Sequence, residues 1–184
     1  MQPLSIITDK LKRSVRELAK SCNKEVIFIA EGETIEIDRI ILDSLKDTLF
    51  HLFRNAIDHG LETAEERGLN NKDKTGTIKI KASYDENHII LQVSDDGRGI
   101  NHDQVKEKAL EKKLTSIENL NSLSEEEILN FIFHPDFSTK EIVSKISGRG
   151  LGMNIVRESI KESMARFILK HSLDLALILQ SNSL

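Results

Sequence analysis

The sequence has few of the residues that mark secreted, membrane or metal-rich proteins. Among 184 residues it has one cysteine, Cys22, one tyrosine, two prolines and no tryptophan. A single cysteine cannot form an internal disulfide or a cysteine-based metal site, so nothing indicates an oxidising compartment. No apolar run approaches the ~20 residues that span a bilayer, and the amino terminus lacks the pattern of a signal peptide. We therefore expect a cytoplasmic protein without membrane insertion.

The sequence also has no excess of positive charge. The 26 basic and 30 acidic residues give a formal net charge of -4, and the two signs alternate along most of the chain. This balance provides no basic face for nucleic acid. With 39% hydrophobic residues, the chain has enough apolar surface for one globular domain.

The spacing of the apolar residues predicts a mixture of helices and strands. Helices are predicted at residues 4–22 and 38–60, strands at 25–31 and 35–37, which could pair, and a hairpin at 77–84 and 88–94. Residues 62–75 have the composition of a polar loop, and 101–147 contain two helical pieces, the second opened by Ser124 and Glu127 at capping-box spacing. A last helix follows Gly152. The hairpin favours a mixed or antiparallel sheet with helices on one face.

The first candidate motif is the polar stripe in residues 51–60. Helical offsets of three and four align five polar side chains away from the apolar ones: His51, Arg54, Asn55, Asp58 and His59. An Arg side chain is a forked donor to phosphate oxygens, and a neutral Asn oxygen can complete the shell of a magnesium ion. The stripe is compatible with phosphate and magnesium, although most such stripes are solvated surface.

The second motif, at residues 93–100, delivers the carboxylate of Asp95 into a turn that Gly97 and Gly99 keep open. A fixed carboxylate can accept a hydrogen bond from an exocyclic amine, which favours adenine. The same pattern also occurs in ordinary turns.

Two further motifs lie towards the carboxyl end. Alternating glycines directly before a helix can direct backbone N–H groups at phosphate: Gly148, Gly150 and Gly152, with Leu151 and Met153 in the same segment. Residues 131–140 combine three phenylalanines with Ser138 and Thr139, which is compatible with a lid over a nucleotide or with ordinary core.

In this order and spacing the four segments resemble the N, G1, F and G2 boxes of the histidine kinase ATPase superfamily, which includes DNA gyrase and the mismatch-repair ATPases. Within it they look like chemotaxis kinases of the CheA type. The resemblance implies an α+β fold, a two-layer α/β sandwich of the Bergerat type with a mixed sheet and helices on one face. It also implies the end of a dimerisation helix at residues 1–22, the ATP-binding domain at 23–163 and an atypical tail at 164–184.

The resemblance also implies a role for each residue of the four motifs. Asn55 would bind Mg²⁺, and His51, Arg54 and His59 would lie near the phosphates, with His51 and Arg54 in the catalytic role. Asp95 would bind the adenine amine, and Ser138 and Thr139 would lie in the ATP lid. The other residues expected to contact ATP are Asp58, Gly97, Gly99, Gly148, Gly150, Leu151, Gly152 and Met153.

His51 occupies the position where the hydrolysing relatives usually have a glutamate, which favours phosphoryl transfer over hydrolysis. None of the six histidines lies in a recognisable phosphoacceptor motif, so the acceptor is expected on a histidine phosphotransfer domain in trans. Other chemotaxis kinase subunits and receptor-coupling proteins are further expected partners. The alternatives are a nucleotide-binding remnant without kinase activity and a hydrolysing ATPase of the gyrase type.

The tail at residues 164–184 departs from the family pattern, so the strands that close the sheet are expected to be missing or altered. Reading Met164-Ala165 from the third base gives a glycine codon, as the family would have there. We hypothesise a frameshift near Ser163, which sequencing of the locus would test. The leucine-rich segment 173–179 is a candidate substitute helix or strand.

Overall fold

The structure is a computed structural model that describes residues 1–85, 88–134 and 137, and the backbone of 166–169 and 175–180. The chain divides into two compact units. The first unit is Met1–Gly99 with Ile160–Leu184, and the second unit is Ile100–Ser159. The predicted domain boundaries, at residues 22 and 163, stay predictions.

Two helices of the first unit form where the apolar spacing predicts them: α1 (Ser5–Ser21) and α2 (Arg39–Asn55), which ends in a π-helical turn (Ala56–Gly60). A short helix that the spacing does not predict, α3 (Ala64–Leu69), follows. Helix α1 buries one face, which includes Leu11 and Val15. The side chain of Asp38 caps α2 by accepting a hydrogen bond from the backbone N–H of Ile40 at 2.7 Å.

The described strands of the first unit form two sheets, the larger of which is mixed. The strands are β1 (Gln2–Pro3), β2 (Val26–Glu31), β3 (Glu36–Ile37), β4 (Gly76–Asp85), β5 (His88–Asp95), β6 (Arg166–Leu169) and β7 (Leu175–Gln180). Five of the described strands pair in the order β2-β4-β5-β7-β6. Strand β2 runs parallel to β4, and the other pairs are antiparallel. The predicted hairpin and mixed sheet are confirmed.

The predicted pairing of the two early strands is wrong. Strand β3 pairs with β1 instead, with Gln2 opposite Ile37 and Pro3 opposite Glu36. Gly32 turns the chain at a φ of +72° after β2, and the backbone N–H of Leu4 then donates to the carbonyl of Ile35 at 3.0 Å. The residues before α1 therefore form the backbone hydrogen bonds with residues 35–37 that were expected from β2.

The closing strands were expected to be missing or altered, and the structure shows that two strands are present there. Strand β7 pairs antiparallel with β5 from His88 opposite Gln180 to Val93 opposite Leu175, and β6 pairs with the far edge of β7. Residues 175–179 of the leucine-rich segment lie in β7. A short apolar run does not by itself distinguish helix from strand. Here the edge of β5 provides backbone hydrogen-bonding partners, so the run forms a strand.

The core of the first unit lies between the sheet and its helices. Ile80 and Leu91 of the sheet are fully buried. The rings of Phe28 in β2 and Phe53 in α2 meet edge to face, with centroids 5.4 Å apart. The opposite face of β2 leaves Ile27 53% exposed. This pattern agrees with the prediction of helices on one face.

The second unit is built from short helices: α4 (His102–Glu111), α5 (Ile117–Leu120), α6 (Glu125–Leu129) and a 3₁₀ turn (Asn130–Phe133). The predicted capping box is present, with Ser124 and Glu127 bonded to each other's backbone N–H. The small core of this unit contains Val105, Ala109, Leu120, Ile128 and Phe137, with Phe131 packed against it. These two phenylalanines therefore belong to the core of the second unit.

Helix α3 differs from the expectation of a polar loop over residues 62–75. Thr63 and Glu66 form a capping box at its start, and their spacing is the signal that could have found it.

Among the described residues, no helix is both long and apolar enough to cross a membrane.

Candidate functional site

The polar stripe of residues 51–60 lies at the end of α2. Leu52 and Phe53 are buried, whereas His51 and Asn55 are half-buried. The side-chain nitrogen of Asn55 lies 3.0 Å from Nε2 of His51, a contact that helical spacing of four residues permits. The structure therefore brings together the predicted metal residue and one predicted catalytic residue.

The other members of the stripe differ in exposure. Asp58 is half-buried, whereas Arg54 and His59 are exposed. The guanidinium of Arg54 lies over the ring of Phe50, 5.7 Å from its centroid, which is the geometry of a cation–π contact. Arg54 is thus held on the outer side of the helix by a neighbour one turn away.

The π-helical turn that follows Asn55 is anchored from the end of α1. The ammonium of Lys24 donates to the carbonyls of Ile57 and Leu61, the latter at 2.8 Å. These carbonyls lie at the end of a helix, where backbone acceptors lack intrahelical partners. Turns of this kind are frequent at functional sites. The anchor fixes the chain where it leaves the Asn55 helix.

The second motif follows directly from the sheet, because Asp95 is the last residue of β5. Its Oδ1 atom accepts a hydrogen bond from the backbone N–H of Gly97 at 2.8 Å. This contact orients the carboxylate within the turn. Gly99, two residues further on, has a φ of +73°, a conformation that glycine adopts at little cost.

Gly97 joins the two motifs. A Cβ atom on Gly97 would lie 2.3 Å from the carbonyl oxygen of Gly60, so only glycine fits. The next residue, Arg98, donates its backbone N–H to the same oxygen at 2.9 Å. The turn that carries Asp95 therefore packs against the end of the segment that carries Asn55.

Sequence reasoning missed a charged cluster beside this turn. The cluster consists of Glu62, Arg67, Lys72 and Asp96, and Arg67 and Glu62 are only 2% and 5% exposed. Arg67 contacts Asp96 at 2.8 Å and Glu62 at 3.3 Å, and Lys72 contacts Glu62 at 2.9 Å. Two cations and two anions leave the cluster electrically balanced, as buried charges require.

The surroundings of Glu62 keep its carboxyl ionised. Burial by itself would raise its pKa, but hydrogen bonds from Lys72 and the backbone, with the charges of Lys72 and Arg67, lower the pKa below its ordinary value. The attraction between the groups thus outweighs the loss of hydration.

The other predicted ATP-contacting residues lie outside the described residues: Ser138, Thr139, Gly148, Gly150, Leu151, Gly152 and Met153. Their assignments stay predictions. In the described part of the chain, no three or more His, Cys, Asp or Glu side chains form a group that could hold a metal ion by themselves.

A family model described as histidine kinase-, DNA gyrase B- and HSP90-like ATPase matches residues 42–174. The chain belongs to this family. The match includes most of α2, the π-helical turn, the hairpin and the Asp95 turn, which are the elements that bring the two motifs together. An ATPase domain of this type implies ATP binding.

Within this family, similar curated proteins indicate a CheA-like ATPase domain. The chain is 43% identical over 158 residues to the chemotaxis protein CheA of Halobacterium salinarum, covering 86% of this chain and 24% of that protein. It is 41% identical to the sensor histidine kinase CheAY of Helicobacter pylori, covering 88% and 20%. The match to CheA of Treponema pallidum, 37% identical, covers 97% and 23%. The chain spans about a quarter or less of these relatives.

Solved structures agree on the fold. The catalytic domain of histidine kinase ThkA superposes with a TM-score of 0.52 at 19% identity, covering 96% of this chain and 90% of that chain. A blue-light activated histidine kinase of Erythrobacter litoralis gives a TM-score of 0.53 at 14% identity, covering 97% and 45%. At such identities the likeness concerns the fold alone, and it confirms the predicted fold class.

Proposed function

We propose that this chain binds Mg²⁺-ATP and, within a chemotaxis-type two-component kinase, transfers the γ-phosphoryl group to a histidine. The acceptor would lie on a separate histidine phosphotransfer domain. Other kinase subunits and receptor-coupling proteins of a chemotaxis system are the further partners that this proposal implies.

The observation that carries the proposal is the packing of the Asp95 turn against the Asn55 segment through Gly97 and Gly60. A carboxylate that selects an amine and a carboxamide that suits a magnesium ion then belong to one site. The Asp95 carboxylate would accept the adenine amine. Because the nitrogen of the Asn55 carboxamide faces His51, the oxygen would be its contact to a magnesium ion, which prefers oxygen ligands.

His51 favours transfer over hydrolysis. The hydrolysing relatives usually have a glutamate at this position to activate water, whereas here the His51 imidazole lies 3.0 Å from Asn55, which suits a role in orienting the carboxamide. Bound magnesium would neutralise charge on the phosphates during transfer. Arg54, which is exposed on the same helix, would supply a forked donor to phosphate oxygens.

The test is phosphoryl transfer with purified components. The chain is incubated with labelled ATP and a CheA phosphotransfer domain, next to Asn55→Ala and the matched control Asn121→Ala, an exposed asparagine of the second unit. We expect Asn55→Ala to lower transfer by at least about 100-fold, because the proposed contact to the magnesium ion that stabilises charge in the transition state is lost. Asn121→Ala should leave transfer unchanged.

Other outcomes would change the proposal. ATP binding without transfer by the unmodified chain would favour a nucleotide-binding remnant. Steady release of phosphate without a histidine acceptor would favour a hydrolysing ATPase. Equal loss in both asparagine variants would mean that Asn55 has no special role.

A further inference from the structure

The turn that carries Asp95 is held from one side by two basic residues, Arg67 in α3 and Lys72 just after it. Together with Glu62 and Asp96 they form the charged cluster described above. Neither Arg67 nor Lys72 belongs to the four sequence motifs, yet both make direct contacts with the turn. The cluster therefore has a part in the site that the motifs do not explain.

Arg67 holds the side chain that follows Asp95. Its two terminal nitrogens lie 3.1 and 2.8 Å from the two carboxylate oxygens of Asp96, the bidentate geometry that a guanidinium favours. The same carboxylate accepts a hydrogen bond from the backbone N–H of Thr77 at 2.8 Å. Asp96 is thus fixed both to α3 and to the start of β4.

Lys72 holds the backbone of the turn. Its ammonium donates to the carbonyl oxygens of Asp96 at 3.0 Å and Gly97 at 2.9 Å, and to the carboxylate of Glu62 at 2.9 Å. An ammonium has three donors, and these three contacts match that number. Lys72 therefore ties two successive peptide groups of the turn to one point.

The contacts of Lys72 lead to Asp95 in two steps. Lys72 fixes the carbonyl of Gly97, and the backbone N–H of Gly97 orients the Asp95 carboxylate. The carbonyl of Gly60 leaves no room for a side chain at Gly97, and it accepts the backbone N–H of Arg98 at 2.9 Å. The direction in which Asp95 points thus depends on Lys72 and Gly60 together.

We propose that Arg67 and Lys72 are positioning residues that set the orientation of Asp95 and with it the preference for a base carrying an exocyclic amine. The proposal rests on the proposed function, because it concerns the residue that would bind adenine. Neither residue would contact the nucleotide directly. Their effect passes through Asp96 and Gly97.

The test uses Lys72→Ala, because Lys72 is 33% exposed and can be removed with less damage than the buried Arg67. The control is Lys74→Ala, which removes the same charge from an exposed lysine two residues away. Binding of ATP and of purine riboside triphosphate, which lacks the amine, is measured for both variants and the unmodified chain. Amide hydrogen exchange is measured without nucleotide.

We expect Lys72→Ala to lower the preference for ATP over purine riboside triphosphate by about tenfold, the value of one charge-assisted hydrogen bond. Exchange at the amides of Asp96, Gly97 and Arg98 should become several-fold faster, since all three are hydrogen-bonded in the turn. Lys74→Ala should change neither quantity.

Equal weakening of both nucleotides by Lys72→Ala would overturn the proposal, because a general loss of structure does not discriminate between bases. Unchanged exchange in the turn would also overturn it. If the unmodified chain binds neither nucleotide, the proposed function fails and the selectivity step fails with it. The exchange measurement still decides, separately, whether Lys72 holds the turn.

Discussion

The two compact units of this chain are stabilised in different ways. The described part of the first unit depends on contacts between distant residues, such as the parallel pairing of Val26 with Gly76 and the ion pair of Arg67 with Asp96, 29 residues apart. The second unit has short helices, each closed by local hydrogen bonds such as those between Ser124 and Glu127. Asn55 and Asp95 both lie in the first unit.

The difference has a physical reason. A site that must hold separate side chains in one geometry needs support from elements that are fixed relative to each other. A sheet with helices packed on it gives this support, because a displacement of one element disturbs many contacts at once. Helices of four to ten residues, as in the second unit, are too short to be stable alone, so their capping bonds must be supplemented by packing in the small core of that unit.

The largest loss of stability is expected for Arg67→Ala, which tests whether the first unit depends on contacts between distant residues. The substitution leaves the carboxylates of Glu62 and Asp96 without their shared cation, so we expect the free energy of unfolding to fall by about 3–5 kcal/mol. Urea denaturation measures the effect. The control is Arg98→Ala, because Arg98 pairs with Glu66 at 3.3 Å with both side chains about half exposed, and we expect a loss below about 1 kcal/mol. Similar losses in the two variants would contradict the importance of the buried cluster.

A smaller effect is expected for Gly97→Ala. The added methyl group would lie 2.3 Å from the carbonyl oxygen of Gly60, so the backbone must shift, at a cost of about 2 kcal/mol. Gly68→Ala is the control, since a Cβ there meets no atom within 4 Å. Placed in a helix, that alanine should stabilise by about 0.5–1 kcal/mol. Thermal unfolding of the two variants should therefore shift in opposite directions, and a shift in the same direction would show that the close approach of the two motifs is wrong.

The two capping boxes allow a matched comparison at about 1 kcal/mol. Thr63→Ala removes the box at the start of α3 in the first unit, and Ser124→Ala removes the box at the start of α6 in the second unit. Each should destabilise its helix by about 1 kcal/mol. In Ser124→Ala, amide exchange should become faster only near residue 125. In Thr63→Ala it should become faster both in α3 and in the Asp95 turn, because α3 carries Arg67. An equally local response in both variants would remove this distinction.

The smallest expected effect is the contribution of Glu62 to the pH dependence of stability, because burial and ion pairing shift its pKa in opposite directions. Its pKa is lowered in the folded state, so Glu62 adds stability above the unfolded-state value of about 4.3. That contribution is lost as the pH falls through the lower folded-state value. Denaturation between pH 3 and pH 7 should show a weaker pH dependence for Glu62→Gln than for the unmodified chain. An identical dependence in both would assign the acid sensitivity to other carboxyl groups.

Local pattern predicted much of the fold. The apolar spacing of α1, including Leu11 and Val15, and the alternation of the hairpin strands were sufficient, because such periodicity records which face is buried. The capping box of α6 was also recognised. Helix α3 was missed, although Thr63 and Glu66 carried the same signal, because its composition is polar.

Local sequence pattern did not predict which strands pair with each other. Strand β3 pairs with β1 rather than β2, and the segment 175–180 becomes a strand beside β5. Both outcomes depend on which edge is available after the rest of the chain has packed. Hydrogen-bonding partners at long separation are selected by tertiary structure, not by the propensity of the segment.

The sequence by itself determined which functional groups the motifs offer. Asn55, Asp95 and the glycines are recognisable from residue type, order and spacing, and they carry the groups that a magnesium ion, an amine and a phosphate would each require. Only the tertiary structure decided how Asp95 is held. Gly60, Arg67 and Lys72 reach the turn from up to 37 residues away along the chain, since Gly97 contacts Gly60, and the burial of a charge depends on neighbours that sequence spacing does not reveal.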